Sequence, residues 1–323
     1  MNLLALALTL TLTLLIPLLA FATPTPFSPN TTLVTPAGSS TKHDPLNQKP
    51  AHERRGIAYN DVHFAKFFDM EGTHVTWRYN WDSSSPPSDA WFRFIPMLHS
   101  LRDDHTGRWK DNAESIAREN WKHGEMATWM LGFNEPDNCI PDAGGSCIDV
   151  PTAVAGWKKH MQPLSTFNSK TYLGSPGVTN AVSSDTQGLG WLAKFLDTCD
   201  GCTVDFLNLH WYGPARNSQN FKDHINAARK FAKGLPIWIT EFRADGTDDE
   251  VRSFLDEVMP WMDKSQDIHR YAYFMARPGK GMLIDEAGNG LSEIGKEFNL
   301  YHLHSKDGTN IKGSNGERWW KDG

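Results

Sequence analysis

The sequence predicts one (β/α)8 barrel, and three observations carry that expectation. Short apolar or β-branched runs recur eight times between residues 56 and 276, and stretches with helical periodicity separate several of them. The first run is also not followed by the glycine-rich phosphate turn that a doubly wound sheet usually carries there. In chain order the strand candidates are GIAY (56–59), HVTWRY (74–79), WFRFIPML (91–98), WMLGF (129–133), TYLGS (171–175), VDFLNLHWY (204–212), PIWITEF (236–242) and HRYAYFMA (269–276). Each is short and rich in β-branched, aromatic or other apolar residues. The helical candidates between them are residues 111–124, 152–167, 221–234 and 248–265. Eight strands with intervening helices over about 250 residues match the size and rhythm of that barrel.

Outside the barrel, composition changes. Residues 1–22 carry no charged side chain and close on Ala20-Phe21-Ala22, the small-x-small pattern of a signal-peptidase site, so a secretory signal is expected. The lack of Lys or Arg ahead of the apolar run, and the length of that run, leave an uncleaved anchor as the alternative. Residues 23–55 are rich in Pro, Thr and Ser and lack apolar periodicity; they read as a linker or pro-segment that cannot bury enough surface to fold. Within it, Asn30-Thr31-Thr32 is the only N-x-S/T sequon and a candidate glycosylation site. The segment ends on Arg54-Arg55, a dibasic step where processing would leave a mature chain starting at Gly56. The barrel is expected over 56–305. Residues 306–323 form a polar tail that includes Trp319 and Trp320, a pair for which the sequence gives no physical account.

A net charge of −6 with no block of Lys or Arg lacks the cationic footprint that nucleic acids or anionic membranes require. A neutral partner fits better. Thirteen Trp is a high count for 323 residues, and an indole is costly to expose unless its flat face stacks on something, as it does on a sugar ring. The four cysteines form two close pairs, Cys139 with Cys147 and Cys199 with Cys202, which in an exported chain read as local disulfides. Zinc is the rival, but C-x7-C followed fifty residues later by C-x2-C is poor metal spacing. His302 and His304 lack a third ligand and no Gly-x-Ser-x-Gly elbow precedes a helix, so neither metal nor cofactor is expected.

Reacting groups in such a barrel stand at the C-terminal ends of the strands, where the βα loops share one concave face. The polar residues there are Asn60 after the first run, Tyr79, Asn80 and Trp81 after the second, Asn134 and Glu135 after the fourth, His210, Trp211 and Tyr212 in the sixth, and Glu241 in the seventh. Two are carboxylates. A carboxyl pair across a cleft is what glycosidic cleavage needs, one acid for the leaving oxygen and one carboxylate for the anomeric carbon. Singly, each has a structural reading: Glu135 as a helix-start acid, Glu241 as a partner of Arg243.

Five peptides in order, YNW (79–81), LGFNEPD (131–137), LGSP (173–176), VDFLNLHWY (204–212) and WITEF (238–242), resemble glycoside hydrolase family 128, the β-1,3-glucanases whose domain is also described as alkali-sensitive-linkage-like. The resemblance runs from about Gly56 to Tyr301. It implies a β-1,3-glucan-cleaving enzyme with Glu135 as acid/base, Glu241 as nucleophile and Asn134 on the sugar 2-OH, retaining anomeric configuration with the carboxyls about 5 Å apart; with the expected signal, the reading is a secreted, endo-acting glucanase. Glu135 should then have a raised pKa, with the charge of Glu241 as one cause.

Trp81 and Trp211 are the candidate stacking aromatics. His210 and Tyr212 alternate on one strand face and reach the cleft together or not at all, Tyr212 within reach of a carboxylate. Trp238, three residues before Glu241, should face the other way and pack against helices. Asn60, Tyr79 and Asn80 are further contact candidates, Asn80 equally as a loop-fixing amide. The expected partner of the mature, monomeric chain is a β-glucan oligosaccharide or polysaccharide, outside the cell or in its wall. Another β-linked glucan or mannan, or a wall-anchored glucan-binding protein, are the rival readings.

Overall fold

Eight parallel strands form one curled sheet in the order β3-β2-β1-β8-β7-β6-β5-β4. They are β1 (Arg55–Ala58), β2 (Val75–Tyr79), β3 (Arg93–Phe94), β4 (Thr128–Met130), β5 (Thr171–Val178), β6 (Phe206–Pro214), β7 (Ile237–Asp245) and β8 (Ile268–Tyr273). The computed structural model describes residues 54–122, 127–168 and 171–300. The expected signal, the linker up to residue 53, the sequon at Asn30 and the tail with Trp319 and Trp320 lie outside these residues. Among the described residues, no helix is long and apolar enough to cross a membrane.

The sheet closes on itself through residues just past β3 and β4. Met97 and Leu131 form a parallel bridge, and Leu131 N–H donates to the Pro96 carbonyl at 2.9 Å. The third strand is far shorter than the run 91–98 suggested, because Pro96 has no N–H to give a ladder. The fold is the expected (β/α)8 barrel. Its α-helices are α1 (Asp103–Lys122), α2 (Val150–Gly156), α3 (Gly188–Thr198), α4 (Ser218–Arg229), α5 (Asp248–Lys264) and α6 (Glu293–Leu300), with a 3-10 helix at Val62–Phe68 between β1 and β2. The expected helix 152–167 is α2 followed by a π turn (Trp157–Met161) and a 3-10 turn (Gln162–Thr166), the latter entered through Pro163. α3 carries Gly188 and Gly190 in its first turn, which weakens its helical signal in sequence.

α5 shows how a helix is fitted to its strand. Thr247 Oγ1 accepts from Glu250 N–H at 3.3 Å and Glu250 Oε2 accepts from Thr247 N–H at 2.8 Å, closing a capping box. Val251, Phe254, Leu255, Val258, Met259 and Met262 then repeat at helical spacing and are buried in the layer between helices and sheet. Inside the barrel a second cluster joins Trp77, Tyr79, Phe206 and Trp238. Gly56 is required there, since a Cβ on it would lie 2.2 Å from Trp77 Cε2. The Arg270 guanidinium sits 4.4, 5.0 and 6.0 Å from the ring centroids of Trp129, Trp238 and Trp77, near the N-terminal ends of the strands.

The dibasic step is part of the barrel, which corrects the boundary expected at Gly56. Arg54 Nη1 donates to the carbonyls of Met262, Ser265 and Ile268 at 2.9, 2.8 and 2.6 Å, fastening the end of α5 to the start of β8. Arg55 begins β1 and is 3% exposed, with bonds to Tyr271 Oη at 2.8 Å, the Phe298 carbonyl at 2.9 Å and Asp263 at 3.3 Å. A protease cutting after Arg55 would first have to pull β1 out of the sheet. Both cysteine pairs are disulfides, Cys139 with Cys147 and Cys199 with Cys202.

Candidate active site

Glu241 is placed by an irregularity in β7. Leu209 pairs with Ile239 but His210 pairs with Glu241, so Thr240 is an extra residue on β7, a β-bulge. Its carbonyl accepts from the Tyr79 hydroxyl at 2.8 Å. The bulge also resets the alternation, so Trp238 lies in the barrel interior below Glu241, stacked on Phe206 at 4.2 Å, not against the helices as period-two spacing suggested. Three donors converge on the Glu241 carboxylate. Trp81 Nε1 donates to Oε1 at 2.7 Å, Tyr212 Oη donates to Oε2, and Tyr79 Oη lies 3.5 Å from Oε1.

Glu135 stands beyond β4, where the chain pairs with the end of β5. Its N–H donates to the Gly177 carbonyl at 2.8 Å, and its φ of 39° is a left-handed conformation uncommon for a residue with a side chain. Asn138 Nδ2 donates to Glu135 Oε2 at 2.8 Å. Asn138 directly precedes the Cys139–Cys147 disulfide, which closes the loop after the glutamate. Asp137 carries no reaction geometry: it is 5% exposed and accepts from Thr179 N–H, Thr179 Oγ1 and Gly188 N–H, tying this loop to the one after β5.

Between the two glutamates lies His210, with no solvent exposure. Its Nδ1 is 2.9 Å from Glu135 Oε1 and 3.5 Å from Glu241 Oε2, and its Nε2 is 3.1 Å from Thr240 Oγ1. A Cβ on Gly177 would come within 2.8 Å of Nε2, so that position has to be glycine for the ring to fit. One donor atom from each of Glu135, His210 and Glu241 falls in a set whose members lie within 4.8 Å of one another, close enough to converge on a cation. Those atoms already bond to each other, to Asn138 and to the aromatic donors.

Electrostatics differ from the sequence expectation. Burial works to raise the Glu135 pKa, but hydrogen bonds from His210 and Asn138 and the charge on His210 outweigh it, and Glu135 is lowered. Glu241 is raised, by burial first and also by the charge of Glu135. The proton is therefore held away from Glu135. Tyr79 and Tyr212 are raised by burial and by the glutamate charges, so both hydroxyls keep their protons and serve as donors.

Other candidates fall elsewhere. Trp211 is buried, stacked on Phe254 with centroids 5.3 Å apart and bonded through Nε1 to Asn220, because odd and even positions of β6 face opposite sides; it cannot stack on a sugar. Asn80 fixes its loop, with Nδ2 on the Ser84 carbonyl at 2.9 Å and Oδ1 on Asp82 N–H at 3.2 Å. Asn60 is exposed on the bend after β1. Asn134 is buried, with Nδ2 on the Gly144 carbonyl at 3.1 Å and Oδ1 without a partner. Trp81 is half-buried at the rim. Sequence reasoning missed Asn138, Thr240, His99 and Phe274. Phe274, just past β8, meets Trp81 and Tyr212 edge-on at 5.7 and 5.4 Å. His99 follows the third strand run, which was the available signal; burial and the neighbouring His105 push its pKa down to about 4.

Comparison with known proteins agrees with this geometry. A family model described as glycosyl hydrolase catalytic core matches residues 56–298. Alkali-sensitive linkage protein 1 of Schizosaccharomyces pombe is 30% identical over 261 residues, covering 76% of this chain and 44% of that protein. This chain thus spans less than half the length of that relative. A curdlan-specific exo-β-1,3-glucanase of family 128, subgroup III, from Blastomyces gilchristii, solved with glucose, is 33% identical with a TM-score of 0.66, covering 77% of this chain and 99% of that one. A subgroup I endo-β-1,3-glucanase from Amycolatopsis mediterranei, solved with laminaripentaose, shares the fold at 23% identity and a TM-score of 0.58, over 76% of this chain and 98% of that one. The chain belongs to the glycosyl hydrolase catalytic core family, and its barrel is a family 128 domain of the β-1,3-glucanase type.

Proposed function

We propose that this chain is a secreted, retaining endo-β-1,3-glucanase acting on wall-type glucan, with Glu241 as nucleophile and Glu135 as acid/base. The observation that carries the reading is the nearness of the carboxylates: with His210 each supplies an atom within 4.8 Å of the others, which supports the short separation of a retaining pair. Glu241 is the group held still, its two oxygens fixed by Trp81 and Tyr212. It attacks the anomeric carbon while Glu135 gives a proton to the leaving oxygen. Water, deprotonated by Glu135, then releases the glycosyl group from Glu241. Asn134 is the residue assigned to the sugar 2-OH: its Oδ1 has no partner in the protein but is shielded from solvent, so the contact requires the loop at Gly144 to shift.

The two disulfides support export to an oxidising compartment, where the mature barrel acts as a monomer. Fractionating the culture of a producing cell tests that: a chain retained in the membrane pellet would identify residues 1–22 as an anchor. Substrate and mode are tested by incubating the purified protein with laminarin, mixed-linkage glucan, carboxymethylcellulose and mannan, then resolving the products. A ladder of laminari-oligosaccharides from laminarin alone is the expected outcome. Release of a single small sugar would make the enzyme exo-acting, the mode named for the Blastomyces gilchristii enzyme. Binding to laminarin without release would make it a glucan-binding protein instead.

A further inference from the structure

Two carboxylates this close, both buried, repel each other unless a positive charge or a shared proton lies between them. Among the described residues, the side chains that bond or pair with Glu135 and Glu241 are those of Asn138, Trp81, Tyr79, Tyr212 and His210, none of them a Lys or Arg. His99 also acts on Glu135 through its charge, but burial and His105 push its pKa down to about 4, so His210 is the group that carries the positive charge, and its Nδ1 faces both carboxylates.

We propose that His210 stores the acid proton of the resting site and passes it to Glu135 across the 2.9 Å bond as the reaction begins. This rests on the proposed glycosidase reading. In the transfer the Nδ1–H bond breaks and an O–H bond forms on Glu135 Oε1. The imidazolium becomes a neutral imidazole that keeps its Nε2–H, within reach of Thr240 Oγ1 at 3.1 Å. As Glu241 bonds to the anomeric carbon its negative charge is consumed, and the ring loses one of the two charges that held its proton. When water attacks the glycosyl intermediate, Glu135 takes a proton from it and returns one to Nδ1, so the cycle balances. His210 touches no substrate in this scheme; it is a positioning residue for a proton.

The surroundings of the ring agree. Burial works against a charged His210, but the charges of Glu241 and Glu135, with a contribution from Asp137, raise its pKa above the ordinary value. Behind it on α4, His224 bonds to the His210 backbone and is pushed down to about 4 by burial, so it stays neutral where His210 titrates. Tyr79 on β2 and Tyr212 on β6 keep their protons, leaving the two glutamates and His210 as the exchanging groups.

The test compares wild type with His210→Gln on two substrates across pH. On laminarin, kcat should fall on the order of a hundredfold, and the basic limb of kcat/KM should move down by about one pH unit or more. On a dinitrophenyl β-laminaribioside, whose leaving group needs no proton, the glycosylation rate should stay within about threefold. Equal losses on both substrates with the limb unmoved would make the ring a packing element and overturn the proposal. A second measurement needs no turnover and no variant that folds poorly: nitrogen-15 NMR of the His210 ring in the wild type should show it titrating above the free value of about 6.5. Titration at or below that value overturns the proposal even if the enzyme cleaves glucan, and titration above it supports the proposal even if the glucan assignment fails.

Discussion

The two ends of the barrel both set charged groups against aromatic rings, with opposite sign. At the N-terminal end, Arg270 stacks over Trp129, Trp238 and Trp77, Arg93 lies 5.0 Å from Trp129, and Arg54 and Arg55 are held by carbonyls, Tyr271 and Asp263. At the C-terminal end, Glu135 and Glu241 meet Trp81, Tyr79, Tyr212 and His210. A guanidinium keeps its proton at any pH the fold survives, so the lower end is permanently charged and static. The upper end is made of carboxylates and an imidazole, which exchange protons near neutral pH. One interior thus supports a fixed end and a reactive end, and the difference lies in whether the buried charge can move.

The largest effect that would sharpen this contrast is at the upper end. Glu241→Gln should lower kcat on laminarin on the order of ten-thousandfold with the melting temperature nearly kept, and azide should rescue it to a glycosyl azide of inverted configuration. Rescue with retained configuration would exchange the roles of the two glutamates. Trp238→Ala, at the lower end, should do the reverse. It should cost about 3–5 kcal/mol of stability in denaturant titration, while kcat per folded molecule stays within a few fold. A kcat collapse at full stability would break the division between the two ends. Tyr212→Phe should lower kcat about tenfold to a hundredfold, the worth of one hydrogen bond to a charged group, with little change in stability.

The smallest effect concerns pH. Glu241 is raised above its ordinary 4.5, so the folded state binds this proton more tightly than the unfolded chain does. The stability that carboxyl contributes is full below 4.5 and is lost as pH rises through the raised value. Glu241→Gln cannot ionise, so its melting temperature relative to wild type should be higher at pH 7 than at pH 4. An equal difference at both would show that Glu241 is not strained by ionisation.

Strand positions, the two cysteine pairs and the location of Glu135 just beyond β4 and of Glu241 on β7 were legible because period-two runs and the switch from apolar to polar residues survive in one dimension. Trp238 was misread because a one-residue bulge at Thr240 leaves no sequence mark, yet inverts every later side chain. Trp211 needed only the same alternation that was applied to His210 and Tyr212. Arg54 and Arg55 looked like an exposed processing site because charge reads as exposure until partners more than 200 residues away are known. The resting pKa order of the glutamates was out of reach for a similar reason, since it depends on where a single imidazole nitrogen lies.

Those two arginines also bear on when the chain can fold. Their partners include Met262, Ile268 and the Phe298 carbonyl, 208 to 243 residues downstream. During synthesis the first strand therefore leaves the ribosome long before the groups that neutralise its cations exist, and loop-closure entropy delays the pairing further. The barrel can shut only after β8 has emerged, so a chain truncated ahead of Met262 would present an open sheet edge with two unsatisfied guanidinium groups, a substrate for chaperones and quality-control proteases.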